Sequence, residues 1–386
     1  MVRFNSSGHE TDKRQKIMNT ILIVIFAAIV ICSTILLVVR ISKIDNNNIE
    51  NNQINTQNSV LGAEKKVSSS YAVMEGSRNI LLDGQNASSK LPMASTTKIM
   101  TAYIACISGK LNDIVEIPKA AVGVEGSSVY LKEGEKYKLI DLVYGLMLQS
   151  GNDAAEAIAR YLGGSIEGFA NIMNETAVKM GLKSTHFVNP HGLHDDEHYT
   201  SAYDLAYITC EGLKNEEFAK ICSTKVYKFQ LQTGENKCYV NKNKLLNLYD
   251  GCIGVKTGFT KKAGRCLVSA AKRNGVTIVS VVLNHYDMWN SSMANLNRGF
   301  AVTKSVVIAK ANQCFAQVKS SSGQILNLSV AEDVVFAAMQ NENLNITYDI
   351  KLLENLPENI QKGEIVGEIK FFNDKHLLFV KKIYTI

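Results

Sequence analysis

The run VTIVSVVL, at Val276–Leu283, is dominated by β-branched residues and is bounded by Gly275 and Asn284. β-Branched side chains favour strands, and glycine and asparagine favour the turns at strand ends. The preceding run, Cys266–Ala271, has the composition of an antiparallel partner. The two runs therefore predict a pair of neighbouring antiparallel strands.

Two more strands are predicted near the start of the folded region, at Tyr71–Glu75 and Asn79–Asp83, around a Gly-Ser turn. Between the two pairs of strands, apolar residues recur every three or four positions, which is typical of amphipathic helices. These helical runs are Thr96–Ser108, Leu139–Leu162, Ile166–Met180 and Ala202–Ala219. Strands at both ends of a helical middle predict an α+β fold, in which helices pack on an antiparallel sheet.

The sequence changes character after about Phe300. Short strand-like runs follow, and no long helix is evident among the last three of them. These runs are Gln324–Val330, Ile346–Ile350, Glu364–Phe371 and Leu377–Ile383. The pattern predicts a small all-β C-terminal domain over residues 301–386, after a larger domain over residues 68–300.

A strongly apolar run lies near the N-terminus, at Ile21–Val39. As a helix it would span about 28 Å, close to the thickness of the hydrocarbon layer of a membrane. Basic residues precede it, at Lys13, Arg14 and Lys16. The positive-inside rule then places residues 1–20 in the cytoplasm and the chain after the run outside the cell. We expect a single-pass anchor in the cell membrane. A cleaved signal peptide is the alternative, although ILLVVR at Ile35–Arg40 offers no small-x-small cleavage site.

A polar tract, DNNNIENNQINTQNS at Asp45–Ser59, follows the apolar run. It has too few apolar side chains to bury a core, so residues 40–67 are predicted to form a flexible Asn-rich linker. Over the whole chain, Lys plus Arg is 42 and Asp plus Glu is 36, which gives a net charge of +6. This surplus is too dilute over 386 residues to hold a nucleic acid, so no nucleic-acid partner is expected.

Seven of the eight cysteines lie beyond the apolar run, with no CxxC pair and no metal-ligand spacing. Cys238 and Cys252 are the first candidates for a disulfide, and buried free thiols are the alternative.

A serine and a lysine stand three residues apart in Ser95-Thr96-Thr97-Lys98, at the start of a predicted helix. Residues at this spacing lie on one helix face, so a lysine of lowered pKa could take the proton of the serine hydroxyl. The same spacing in Ser269–Lys272 falls in a predicted strand, where the geometry is wrong for this contact. Alone, the pattern is weak.

Two further motifs follow in order along the chain. Ser150-Gly151-Asn152 lies at a break between two helical runs, where it offers a hydroxyl and an amide. Lys256-Thr257-Gly258 leads into Phe259 in a predicted strand, whose glycine lets another group approach the backbone closely.

SxxK, SxN and KTG in this order form the motif set of penicillin-binding proteins and class A β-lactamases. The chain resembles the serine-type D-Ala-D-Ala carboxypeptidases, which are low-molecular-mass penicillin-binding proteins that trim peptidoglycan. The similarity extends to ASTTKIMT at Ala94–Thr101, GSSVY at Gly126–Tyr130, LMLQSGNDAA at Leu146–Ala155, FVNPHGL at Phe187–Leu193, GVKTGFTKKAGR at Gly254–Arg265 and KGEIVG at Lys362–Gly367. It implies a β-lactamase/transpeptidase-like fold.

The resemblance also implies roles for the motif residues. Ser95 would attack the carbonyl between two D-alanines, with Lys98 as base, and Ser150 would relay a proton to the leaving amine. Asn152 would hold the substrate amide and Lys98. Lys256 and Thr257 would bind the terminal carboxylate.

The backbone N–H groups of Ser95 and Phe259, the latter next to Gly258, would form an oxyanion hole. The partners implied are a pentapeptide ending in D-Ala-D-Ala and, as covalent inhibitors, β-lactams. We expect a monomer that uses no cofactor and no metal.

One departure concerns the substrate carboxylate. In many relatives a basic residue following the strand after KTG helps to hold it, but NHYDMWNSSMANLN at Asn284–Asn297 contains no Arg or Lys. This departure leaves a second hypothesis open, a relative of weak catalysis that binds the cell wall without turnover. A β-lactamase is disfavoured, because no ExxLN element lies between Ser150 and Lys256.

Two other features have alternative interpretations. His191, His194 and His198 could belong to a metal site, but they follow Asn189-Pro190, which favours a solvated loop over a ligand-bearing helix. The single tryptophan, Trp289, is predicted to be a packing residue, and a substrate platform is the alternative.

Overall fold

The computed structural model describes residues 69–320, 322–354, 356–357 and 359–386, which belong to one compact unit. The predicted cytoplasmic segment, anchor and linker lie outside the described residues. Within the described ranges, no helix combines the length and the apolar character that crossing a membrane requires.

The first part of the described chain alternates strands and helices as an α+β fold. In chain order its elements are β1 (Ser70–Glu75), β2 (Ile80–Gln85), α1 (Lys98–Ile107), β3 (Ile114–Glu116), β4 (Lys136–Lys138), α2 (Leu139–Tyr144), α3 (Asn152–Gly163), α4 (Ile166–Lys179), α5 (Ala202–Leu213), α6 (Glu216–Ser223), β5 (Val226–Gln230), β6 (Asn236–Val240), α7 (Leu245–Leu248), β7 (Cys252–Thr260), β8 (Gly264–Arg273), β9 (Val276–Leu283) and α8 (Met288–Val302).

A five-stranded sheet in the order β2-β1-β9-β8-β7 organises this part. Its strands pair antiparallel throughout, and β8 faces β9 from Leu267↔Val282 to Arg273↔Val276. The predicted antiparallel pair, now β8 and β9, and the predicted hairpin, now β1 and β2, are therefore confirmed. Because β7 stands at the edge of the sheet, one side of its backbone is unpaired by a neighbouring strand.

Side chains alternate between the two faces of the sheet, and both faces are buried. One face, which includes Met74 and Val268, packs against α1 and its neighbouring helices. The other face, which includes Val73 and Leu267, packs against α8, where Trp289 lies half-buried against the core. This placement agrees with the prediction that Trp289 is a packing residue.

Two of the predicted helical runs are interrupted. The run over 139–162 forms α2 and then a π-helical turn at Gly145–Gln149. Ser150, with a φ of +64°, interrupts it, and α3 begins at Asn152. The run over 202–219 divides into α5 and α6, because the side chain of Asn215 accepts a bond from the Phe218 N–H and caps a new helix. The prediction of one continuous helix there was wrong.

Several short elements have no counterpart in the predictions. The two-stranded hairpins β3-β4 and β5-β6 stand apart from the main sheet. The longer helix α8, which follows β9 after four residues, was not predicted either. Each hairpin strand has only three to five residues, too few for a periodic pattern to be recognised.

The C-terminal part is all β in its regular structure, as predicted. It contains β10 (Thr303–Ala309), β11 (Ala316–Lys319), β12 (Ile325–Ser329), β13 (Val334–Met339), β14 (Ile346–Leu352), β15 (Ile365–Asn373) and β16 (His376–Thr385). Five of these strands form a sheet in the order β11-β12-β16-β15-β14, and β10 pairs with β13. An apolar core that includes Leu328, Val366 and Ile383 holds this part together.

The seven cysteines in the described residues are free thiols. Cys238 is exposed on β6 and Cys252 is half-buried at the start of β7, and no bridge joins them. The disulfide considered for this pair is therefore not formed, and five thiols are wholly or partly buried.

Candidate active site

Ser95 lies in a short 3₁₀ turn, Ala94–Thr97, that leads directly into α1. Ala94 begins the turn with φ of +49°, and the Thr97 hydroxyl donates a 2.8 Å hydrogen bond to the Ala94 carbonyl. Thr96 and Thr97 are buried, whereas Ser95 is partly exposed. The turn therefore leaves the Ser95 hydroxyl accessible and buries the side chains of Thr96 and Thr97.

The Lys98 amine is completely buried and lies 3.0 Å from Ser95 Oγ. Its other partners are both acceptors, Asn152 Oδ1 at 2.7 Å and the His191 carbonyl at 2.7 Å. Asn152 Nδ2 donates to the Glu125 carbonyl, which fixes the amide with its oxygen towards Lys98. A neutral amine has two N–H donors and one lone pair. The two acceptors take the donors, and the lone pair is left for the serine proton.

Burial is the main reason why the pKa of Lys98 lies well below its ordinary value, and the positive charge of Lys256 lowers it next. Lys242 adds a smaller lowering effect, whereas the negative charge of Asp153 raises the pKa. A lysine in these surroundings can serve as a base near neutral pH.

Ser150 and Asn152 belong to the break between the π-helical turn and α3. Ser150 is 6% exposed, and its left-handed backbone ends the turn. The Asp153 carboxylate accepts from the Ser128 hydroxyl and from the backbone N–H groups of Val129 and Leu131. One carboxylate thus fastens the GSSVY loop to the start of α3, beside Asn152.

The edge strand β7 carries the KTG residues. Lys256 is buried, and burial together with the neighbouring charge of Lys242 lowers its pKa to about 7. A Cβ at Gly258 would lie only 3.1 Å from the Ser95 nitrogen. Phe259 follows with its side chain 65% exposed. The glycine therefore lets β7 run directly alongside the turn that holds Ser95.

These contacts bring Ser95, Lys98, Asn152 and Gly258 together in one cleft. Lys256 is close enough for its charge to lower the pKa of Lys98, and Ser150, Thr257 and Phe259 are next to these residues in the chain. The cleft combines a hydroxyl, a buried amine of lowered pKa and a second buried cation. That combination can support nucleophilic acyl transfer to a substrate that carries a negative charge.

Comparison with known proteins agrees with this chemistry. The profile described as D-alanyl-D-alanine carboxypeptidase matches residues 55–287, more than half of the chain. The chain belongs to the D-alanyl-D-alanine carboxypeptidase family. A second profile, described as the C-terminal domain of penicillin-binding protein 5, matches residues 304–386. The two matched domains together are those of a low-molecular-mass penicillin-binding protein.

Individual members of the family cover most of the chain. It is 33% identical to the D-alanyl-D-alanine carboxypeptidase DacF of Bacillus subtilis over 322 residues, 80% of this chain and 82% of the relative. DacC of Escherichia coli is 34% identical over 76% of this chain and 77% of its own length.

Solved structures give the same result. DacD of Francisella tularensis superposes with a TM-score of 0.59 at 26% identity, over 85% of this chain and 95% of that one. The Streptomyces K15 DD-transpeptidase superposes with a TM-score of 0.57 at 32% identity, over 62% of this chain and 100% of its own.

His191, His194 and His198 lie in an irregular segment, as predicted, but two of them are buried, which corrects the prediction that this loop is solvated. His198 is 3% exposed and lies 2.9 Å from Thr97 Oγ1 through its Nε2, while its Nδ1 accepts from the Val188 N–H. His191 is also buried, and its Nε2 lies 3.6 Å from Glu156 Oε1. The His198 ring thus contacts the turn that carries Ser95, and the His191 ring contacts α3, instead of facing water.

His194 differs, because it is exposed, as predicted, and its Nε2 lies 3.3 Å from the exposed Asp196 carboxylate. Among the described residues, no cluster of three or more histidine, cysteine or acidic side chains is arranged to hold a metal ion.

Sequence reasoning missed two contributors to the site. Lys242 follows the β5-β6 hairpin, and its amine donates to the Gln149 carbonyl at 2.7 Å, next to Ser150. The loop at Asn189–Leu193 supplies the His191 carbonyl to Lys98 and approaches the Ala94 carbonyl at Gly192. The FVNPHGL similarity marked this loop, but no signal in the sequence marked Lys242.

Proposed function

We propose that the protein is a serine D-Ala-D-Ala carboxypeptidase that removes the terminal D-alanine from peptidoglycan stem peptides through an acyl-enzyme on Ser95. The observation that carries the proposal is the contact set of the buried Lys98 amine, 3.0 Å from Ser95 Oγ and oriented by two acceptors. Membership of the family supports the reaction class.

In the acylation step, Ser95 Oγ bonds to the carbonyl carbon of the penultimate D-alanine while its proton passes to Lys98. The resulting oxyanion would lie between the backbone N–H groups of Ser95 and Phe259. The close approach of Gly258 to the Ser95 nitrogen supports this pairing, because it brings the two backbones together.

The C–N bond then breaks, and D-alanine leaves with a proton relayed through Ser150. Water attacks the ester in the second step and regenerates the Ser95 hydroxyl. Asn152, which already orients Lys98, would also hold the amide of the substrate.

Lys256 and Thr257 are proposed to bind the terminal carboxylate of the substrate. A pKa of about 7 leaves Lys256 partly neutral in the free enzyme at neutral pH. An incoming carboxylate favours the charged form of a neighbouring amine, so substrate binding would draw a proton onto Lys256.

The decisive experiment measures D-alanine release from a pentapeptide ending in D-Ala-D-Ala. Ser95→Ala should abolish release, while the matched variant Ser269→Ala, in the second SxxK sequence on β8, should retain it. Intact mass after penicillin treatment should show one adduct on the Ser269→Ala protein and none on Ser95→Ala. If the folded wild-type protein neither releases D-alanine nor forms an adduct, the proposal is wrong, and the non-catalytic hypothesis of a cell-wall binding protein is favoured.

We also propose that residues 21–39 anchor the protein in the membrane, with the catalytic part outside the cell and the N-terminus in the cytoplasm. The length and apolar character of Ile21–Val39, and the basic residues before it, support this topology. The full chain should remain in the membrane fraction after an alkaline wash, and protease added to intact cells should reach residues 68–386. Release by the wash would contradict the anchor.

A further inference from the structure

The loop between β9 and α8, together with the first ten residues of α8, carries no arginine or lysine over Asn284–Asn297. A substrate that ends in a carboxylate still needs its charge compensated in a partly dry cleft. Lys256 is a single buried amine with a pKa of about 7, so it supplies only part of a positive charge in the free enzyme. Lys242 adds a second cation on the Ser150 side of the site, where its amine donates to the Gln149 carbonyl. A carboxylate bound at the end of β7, beyond Thr257, would still need a cation there.

Arg265 lies on β8, the strand that pairs with β7. It pairs with Phe259 of β7, and Thr257 pairs with Leu267 two positions further along. Paired residues of antiparallel strands share a face, so the side chains of Arg265, Phe259 and Thr257 all project from the face that packs on α8, whereas Lys256, paired with Val268, projects from the face that packs on α1. Because β7 is the edge strand, a carboxylate bound along its free edge can meet side chains from both faces. Diagonal neighbours are about 7–8 Å apart, which an arginine side chain can span.

The loop that lacks the basic residue contacts Arg265 twice. The His285 N–H donates to the Arg265 carbonyl at 2.9 Å, which ties the loop to β8. The guanidinium carbon of Arg265 lies 5.7 Å from the centre of the Tyr286 ring, within range of a cation–π contact. Both side chains are exposed, so the guanidinium keeps donors available to a ligand. The loop after β9 thus orients the guanidinium of Arg265, which belongs to β8.

We propose that Arg265 binds the terminal carboxylate of the substrate together with Thr257 and Lys256, in place of the basic residue missing after β9. The inference rests on the proposed function and adds a residue that determines its specificity. A guanidinium presents two parallel N–H donors to a carboxylate, so Arg265 would recognise its planar shape as well as its charge. The occupant is the free α-carboxylate at the C-terminus of the peptide.

The test compares two peptides on the full chain, one ending in D-Ala-D-Ala and one ending in the corresponding D-alaninamide. Arg265→Leu should lower kcat/KM for the acid by about 10- to 100-fold, the range expected for one lost charge-assisted hydrogen bond. The amide peptide, which has no carboxylate, should change by less than about threefold. Arg265→Lys keeps the positive charge but loses the paired N–H donors of the guanidinium. Its kcat/KM for the acid should lie between those of the wild-type and Arg265→Leu proteins.

Lys261→Leu is the matched control, because it removes an exposed cation from the turn between β7 and β8. It should leave the ratio of acid to amide rates unchanged. The inference is wrong if Arg265→Leu leaves the acid rate unchanged, if it lowers both peptides equally, or if Lys261→Leu reproduces its effect. A wild-type protein that hydrolyses neither peptide would overturn the proposed function and this inference together.

Discussion

At the scale of single residues, the proposed mechanism requires opposite protonation states of two buried lysines. Lys98 would be neutral to accept the Ser95 proton, whereas Lys256 would be charged to bind a carboxylate. The acceptors around Lys98 suit a neutral amine, and the positive charge of Lys256 lowers the pKa of Lys98. A charged Lys256 would therefore favour the neutral form of Lys98, which suits the two proposed roles.

This division predicts the alkaline side of the pH profile. Burial and Lys242 lower the pKa of Lys256 to about 7, so deprotonation above that pH removes the cation that binds substrate. The kcat/KM for D-Ala-D-Ala peptides should fall by up to about tenfold per pH unit above the pKa of the free enzyme. Lys256→Arg should remove this decline, because a guanidinium stays charged, even if the overall rate is lower. Lys244→Arg, an exposed lysine, is the control. An unchanged decline in Lys256→Arg would contradict the assignment.

A second prediction concerns stability and His198. Its buried ring accepts from the Val188 N–H through Nδ1, so it is neutral, and burial lowers its pKa to about 3. An unfolded histidine titrates near 6.5, so between that value and about 3 the unfolded state binds the extra proton and stability falls as the pH falls. The wild-type protein should lose about 2 kcal/mol from this ring between pH 8 and pH 5.

Chemical denaturation at both pH values checks this expectation. His198→Gln should be less stable at pH 8, because the contact with Thr97 is altered, but its loss between pH 8 and pH 5 should be smaller by about 2 kcal/mol. His376→Gln, at the exposed first residue of β16, is the control. Equal pH dependence in the wild-type and His198→Gln proteins would show that His198 is not neutral in the fold.

At the scale of elements, the site depends on how closely β7 approaches the turn before α1. A Cβ at Gly258 would lie 3.1 Å from three backbone atoms, Met93 O, Ser95 N and Thr96 N, none of which can move independently. Gly258→Ala should therefore displace the proposed oxyanion hole and slow acylation by penicillin by about 10- to 100-fold.

Gly84→Ala provides the matched control, since a Cβ there would meet Ala87 Cβ and the Tyr71 carbonyl at 3.1 and 3.2 Å, on the opposite edge strand. Both variants should unfold at similar temperatures, but only Gly258→Ala should be slow to acylate. If both acylate at the wild-type rate, the spacing between β7 and the Ser95 turn does not determine catalysis.

The elements that could be predicted from sequence are those with a strong local signal. The β-branched content of Val276–Leu283, bounded by Gly275 and Asn284, predicted β9, and the apolar period after Ser95 predicted α1. The three motifs identified the candidate residues before any geometry was known, and the fold brings Ser95, Lys98 and Asn152 into contact. Their catalytic roles remain predictions.

Features that depend on contacts through space could not be predicted in this way. The left-handed Ser150 results from a π-helical turn that no local pattern announces. Burial of His198 comes from packing under Thr97, about a hundred positions earlier in the chain. Lys242 reaches Gln149 only because the β5-β6 hairpin turns back on the helical part. Local periodicity contains no information on any of these contacts.

At the scale of the whole molecule, one arginine joins the N-terminal hairpin to the C-terminal β part. Arg78, in the turn between β1 and β2, makes a two-pronged contact with Glu342 at 2.7 and 2.9 Å. It also donates to the Ala337 carbonyl at 2.6 Å and stacks 4.4 Å from the centre of the Phe336 ring. Both charged side chains are less than one-fifth exposed, so solvent screens the pair weakly.

Loss of the contact between Arg78 and Glu342 should destabilise the C-terminal β part without changing the geometry of the catalytic cleft. Arg78→Ala leaves Glu342 half-buried without its partner and should lower the free energy of unfolding by about 2–4 kcal/mol. Calorimetry should then show an earlier, separate transition for the C-terminal strands, while penicillin still acylates the protein at the wild-type rate. Lys136→Ala removes the exposed pair with Glu116, whose side chains are 53% and 66% exposed, and should cost less than about 1 kcal/mol. A single transition that shifts equally in both variants would mean that Arg78 does not link the two parts.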